Sequence, residues 1–147
     1  MRKLLFPLLL LLLSGCSMLG MEDKPRLAVV ESGLFRNGRL TFATTGVPRD
    51  LGTTFGFRFK VVDPKATTMK ARVVTATPGL IEPAKDQVQR DYVTAITLEP
   101  GREYDVFFTF TADWEMATGP WELRVETDKG DLLSQTFNVY DQGKMPQ

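Results

Sequence analysis

The sequence predicts an all-β fold, an antiparallel β-sandwich of about 7–8 strands, on three observations. Apolar and polar residues alternate with period two in several separate segments, the spacing that sends successive side chains to opposite faces of a sheet. Turn-forming pairs such as Asn37-Gly38, Pro100-Gly101 and Lys129-Gly130 divide those segments at short intervals. No long helical pattern interrupts them.

Taken in order, Leu27, Val29 and Val30 open the first strand. Leu34-Phe35-Arg36 and Arg39-Leu40-Thr41-Phe42 flank Asn37-Gly38, the strongest local signal for a two-residue type I′ hairpin. Residues 46–50, Gly-Val-Pro-Arg-Asp, read as a break. Phe55, Phe57, Phe59 and Val61 then alternate with Gly56, Arg58 and Lys60, so one face is apolar and the other polar. After a turn at Asp63-Pro64, Ala71 and Val73 alternate with Lys70 and Arg72. Residues 77–91 contain Pro78, Gly79, Pro83 and mixed charges; they read as the longest irregular connection, with a single helical turn over 84–90 as the alternative. Residues 92–98 resume the strand pattern, Pro100-Gly101 suits a turn with glycine at positive φ, and Tyr104, Val106, Phe108 and Phe110 follow. Beyond Asp113-Trp114-Glu115 and Gly119-Pro120, Trp121, Leu123 and Val125 alternate with charged residues. The turn Asp128-Lys129-Gly130-Asp131 leads to Leu133, Gln135, Phe137 and Val139. This spacing is that of an immunoglobulin-like sandwich over residues 26–140, with 141–147 a polar tail.

The N-terminus has a different character. Met1-Arg2-Lys3 precedes an apolar run over residues 4–13, and Leu13-Ser14-Gly15-Cys16 ends it. A basic start, a short apolar core and small residues are the parts of a secretory signal, whereas spanning a bilayer takes about 20 apolar residues. The order Leu-Ser-Gly-Cys resembles the lipobox of bacterial lipoproteins. That resemblance implies cleavage between Gly15 and Cys16, removal of residues 1–15, a diacylglyceryl thioether on Cys16 and acylation (palmitate) of the new amino terminus. Residues 16–25 then form a lipidated tether, in which residues 17–25 reach at most about 30 Å when extended. Ser17 after the cysteine resembles lipoproteins sent to the outer membrane, which implies a protein held there and facing the periplasm.

Composition narrows the chemistry. Loss of Arg2 and Lys3 takes the basic residues from 18 to 16 against 18 acidic ones, which leaves no electrostatic footprint for nucleic acid. The chain has no histidine and one cysteine, so Ser-His-Asp and Cys-His catalysis are excluded, no intrachain disulfide can form, and a transition-metal site or cofactor is not expected.

Four groups of residues invite a functional reading. Trp114 and Trp121 could offer an aromatic platform; a core role is favoured for Trp121, and Trp114 is expected to be the more accessible. Arg58, Lys60, Lys70 and Arg72 would form a basic face for anionic headgroups or an acidic partner if their two strands are neighbours, against the alternative of an ordinary solvated face. Phe107 and Leu132 are out of phase with their neighbours, so they emerge on outer faces and call for a cover: residues 77–91 or, less favoured, another protein. Glu82, Asp86, Asp91, Asp113 and Glu115 are the remaining acid–base candidates, and solvated loop charges explain them better. The run from Asp128 to Asp131 falls short of a calcium loop and suits a hairpin turn.

Gly52-Thr53-Thr54-Phe55-Gly56-Phe57-Arg58-Phe59, Asp113-Trp114-Glu115, Gly119-Pro120-Trp121-Glu122-Leu123 and Phe137-Asn138-Val139 together resemble the bacterial domain of unknown function 3859. The resemblance covers residues 51–62 and 113–139, implies a compact β-domain of an exported protein, and brings no catalytic residues. The expectation is a non-enzymatic binding or scaffolding module, held at the membrane by its lipid and meeting an envelope protein. A carboxylate-dependent hydrolase and a small-ligand binder with its site between the sheets are the rivals.

Overall fold

The computed structural model describes residues 26–62 and 67–143; the signal, lipidation and tether assignments, the Asp63-Pro64 turn and the last four residues of the polar tail lie outside them. Nine strands and one 3-10 turn follow in the order β1 (Leu27–Arg36), β2 (Arg39–Phe42), β3 (Gly46–Pro48), β4 (Thr54–Val61), β5 (Met69–Ile81), β6 (Val88–Leu98), β7 (Glu103–Thr109), the turn Asp113–Glu115, β8 (Gly119–Thr127) and β9 (Leu132–Tyr140). They form a four-stranded sheet, β2-β1-β4-β7, and a five-stranded sheet, β3-β9-β8-β5-β6. Neighbours are antiparallel except β3 and β9, which run parallel.

The β1–β2 hairpin forms where Asn37-Gly38 places it, with φ of 50° and 73° as a type I′ turn requires. Two expectations need correction. Residues 46–48 are a strand rather than a break: the residue before a proline prefers extended backbone, and Val47, fully buried, is anchored by the core while its segment lies along β9. Residues 77–91 are not an irregular connection. The β5–β6 ladder continues past a register shift between Ala76 and Leu80 to Leu80↔Gln89 and Ile81↔Val88. Thr77-Pro78-Gly79 make an irregularity inside the strand, which accommodates a proline lacking an N–H and a glycine at φ 126°. Only residues 82–87 connect the two strands.

The core lies between the sheets. β4 contributes Phe55, Phe57 and Phe59, all at 0% exposure, and the facing sheet contributes Trp121, Leu123, Val125, Phe137 and Val139. Phe55 is central: its ring meets Trp121 edge-on at 5.6 Å and approaches Phe110 and Phe137 at 5.4 Å. Burial of such a side chain stabilises by roughly 2–3 kcal/mol, and with one cysteine in the chain this packing has no disulfide to assist it.

The outer faces are tied by charge. On the five-stranded sheet Arg72 and Arg124 both hold Glu126 at 2.7 Å, and Arg124 reaches Glu122 at 3.4 Å, which accepts from Ser134 at 3.0 Å. The Arg124 guanidinium holds the Glu126 carboxyl below its ordinary value, with Arg72 adding to the effect. On the four-stranded sheet Arg58 contacts Asp105 at 2.7 Å, Glu31 at 3.0 Å and the Gly38 carbonyl at 2.8 Å. The hydrogen bond to Asp105 is the main reason its pKa is raised.

Candidate functional site

The β6–β7 connection carries the chain from one sheet to the other, so the two strands stand as free edges on the same side of the sandwich. Partly buried Tyr92 and Ile96 of β6 and Tyr104 and Phe108 of β7 close the core along that side. At one end of it lies a groove of about 210 Å³ lined by Glu82, Lys85, Gln87, Gln89, Tyr92, Phe108, Trp114 and Glu115. Its aromatic side is continuous with the interior: Tyr92 and Phe108 have ring centroids 5.9 Å apart, and Phe108 lies 4.9 Å from Trp121.

Trp114 is presented by the 3-10 turn, which Glu115 holds shut. Its carboxylate accepts from the N–H of Thr111 at 2.7 Å, the N–H of Ala112 at 3.2 Å and the Thr111 hydroxyl at 3.1 Å. On the other wall Lys85 pairs with Glu82 at 2.9 Å. Burial raises the Tyr92 pKa, and the charges of Glu115 and Glu82 push it the same way, so the phenol remains a hydrogen-bond donor at neutral pH. The groove thus offers flat apolar rings with amides and an ion pair at its rim. A volume below the roughly 300 Å³ of a small-molecule pocket suits one side chain or one ring rather than a whole ligand.

The structure divides the tryptophans: Trp121 is fully buried, its indole N–H donating to the Ala117 carbonyl at 2.9 Å, whereas Trp114 reaches the groove. The four cations do not make one face. β4 and β5 belong to different sheets, so Arg58 and Lys60 point out of one side of the sandwich and Lys70 and Arg72 out of the other, and Arg58 and Arg72 are paired with carboxylates. Phe107 is not covered by residues 77–91; its ring lies 4.2 Å from Phe35 across β4. The two meet because Gly56, opposite Phe107 and Gly33, puts no side chain between them. Leu132, 61% exposed, lies against Glu126 and Arg72, at the end of β5 away from residues 77–81, and lines a shallow trough of about 910 Å³ with Ala95 and Lys70. The turn from Asp128 to Asp131 is a hairpin connection in which Asp131 accepts from the Thr127 hydroxyl at 2.8 Å. No three His, Cys, Asp or Glu side chains converge as metal ligands among the described residues.

Sequence reasoning missed Tyr92 and Phe108 as partners. A signal was present: each stands eight positions from Pro100, one before and one after, so a chain crossing between sheets at that turn brings them level.

The model of the domain of unknown function DUF3859 matches residues 23–139. The chain belongs to that family. An immunoglobulin-like protein from Pseudomonas aeruginosa, known at 1.50 Å resolution, matches with TM-score 0.65 and 26% identity over 78% of this chain and 96% of its own. The DUF3859 chain is therefore an immunoglobulin-like β-sandwich. A β-glucosidase from Listeria innocua in complex with isofagomine aligns with 77% of this chain but 16% of its own, at 13% identity and TM-score 0.38, and bears on neither fold nor activity here. No curated protein matches the sequence.

Proposed function

We propose that this DUF3859 domain is a non-enzymatic binding module of the bacterial envelope, held at the outer membrane by lipid on Cys16 and offering the Trp114 groove to a protein partner. The order Met1-Arg2-Lys3, apolar residues 4–13 and Leu13-Ser14-Gly15-Cys16 carries the reading of the anchor. One acyl chain gives marginal membrane residence, whereas the three chains such processing attaches hold a protein firmly.

Binding is favoured over hydrolysis because Glu115 is spent on closing its turn and Glu82 on Lys85, and no histidine exists to act as base. A protein partner is favoured over a small ligand between the sheets because side chains at 0% exposure fill that interior. Fractionation of cells making the full chain is the test: the parent sediments with membranes and takes up labelled palmitate, and Cys16→Ala does neither. Membrane sedimentation of Cys16→Ala equal to that of the parent would remove the anchor from the proposal.

A further inference from the structure

The four sheet edges are not protected alike. Two are short: β2 has four residues, and β3 has three and ends in Pro48. β7 carries exposed Glu103 and Asp105. Short length, proline and charge are the usual ways a free edge is kept from pairing with another chain. β6 departs from this pattern over residues 92–98. Tyr-Val-Thr-Ala-Ile-Thr-Leu has no charge, proline or glycine, and every residue but Ala95 and Leu98 is aromatic or β-branched.

The ends of that strip are closed and its middle is open. Gln89 donates a side-chain amide hydrogen to the Asp91 carbonyl at one end, and Glu99 donates its N–H to the Tyr104 hydroxyl at 2.7 Å at the other. Between these caps, among the described residues, the backbone of residues 92–98 makes no hydrogen bond outside its ladder with β5. Val93 at 57% exposure, together with exposed Thr94, Ala95 and Thr97, leaves the strip accessible.

We infer that β6 pairs with β6 of a second copy of this chain, antiparallel about a two-fold axis normal to the sheet, joining two five-stranded sheets into one. The occupant is a second copy because the strip is uncharged and complementary to itself, and a chain whose 18 acidic residues are nearly balanced by basic ones, 18 before and 16 after loss of Arg2 and Lys3, repels its own kind little. Keeping the outer faces of both copies on one side centres the axis on a residue, and charge rules out one such centring. Centring on Ala95 sets Asp91 against Glu99 of the other copy, a like-charge pair. Centring on Thr94 sets Tyr92 against Ile96 and Val93 against Ala95, with no like charges opposed, and aromatic with β-branched is a favourable cross-strand pair.

The inference stands apart from lipidation, and its test uses the full chain in detergent and in membranes. Light scattering over a dilution series is expected to give twice the monomer mass, falling to the monomer on dilution. Ala95→Lys, a charge on the exposed outer face, is expected to be monomeric throughout with an unchanged melting temperature. Oxidation in membranes should convert Thr94→Cys to a reducible dimer, while Glu103→Cys on β7 and the parent, whose sole cysteine is Cys16, stay uncrosslinked. A parent monomeric at every concentration, crosslinking through Glu103→Cys as efficient as through Thr94→Cys, or a different envelope protein captured at Thr94→Cys would each overturn self-pairing.

Discussion

Gly56 shows how much a single missing side chain decides. Its φ is 151°, and a Cβ there would sit 1.9 Å from the Val106 carbonyl oxygen, in the gap over which Phe35 and Phe107 meet. Gly33, its partner on β1, is as tightly confined by the Phe42 carbonyl. The two rings, with the Arg58 guanidinium carbon 5.9 Å from the Phe35 ring centroid, form a second, small cluster on the outside of the four-stranded sheet. Gly56→Ala is therefore expected to strain the backbone and part the rings together, at a cost of at least about 3 kcal/mol. Urea denaturation monitored by circular dichroism measures this, and a loss under 1 kcal/mol, or about a third of that figure, would show that the sheet absorbs the methyl group. The alternation of Phe55, Phe57 and Phe59 makes the inner face of β4 legible in the sequence. The outer cluster was not, because Phe35, Gly56 and Phe107 are far apart in the chain and meet only through strand register.

At the level of elements, β4 and β8, which alternate throughout, and β7 and β9, which alternate but for Phe107 and Leu132, lie where periodicity puts them. β3 and the far half of β5–β6 depart from periodicity for one reason: proline and glycine ordinarily mark the ends of strands, but a strand held on one side by a neighbour tolerates both at an edge or an irregularity. The same pairing creates the charge ladder across β5, β8 and β9, which no local pattern reveals. Its centre is Glu126, whose folded-state pKa lies below 4.5 because Arg124 and Arg72 hydrogen-bond the ionised form. A carboxyl with a depressed folded value contributes stability above its unfolded pKa and loses it as pH falls through the folded one. Glu126→Gln should lower the melting temperature at neutral pH, and the gap from the parent should close as acid takes the pH below 4.5. A gap that persists in strong acid would mean the amide acts by packing rather than by loss of charge.

For the whole molecule, the two sheets share one core, with Phe55 touching Trp121 and Phe137 of the opposite sheet, so neither sheet can keep its apolar face dry alone. Unfolding is expected to be a single transition, with far-ultraviolet circular dichroism and the fluorescence of buried Trp121 changing at the same denaturant concentration. Separate midpoints would show that one sheet outlasts the other. The strands also give the sandwich two unlike ends. Arg26 enters beside Asp131 at 3.7 Å, and Leu27 pairs with Val61, whereas the groove with Trp114 is built around the far ends of β5 and β6. A pull applied between residue 26 and a partner seated in the groove would act along the strands. β1 would then be drawn lengthwise against β4, with eight paired positions loaded at once instead of opened one after another. Under such a pull the β1–β4 register would carry the load in shear.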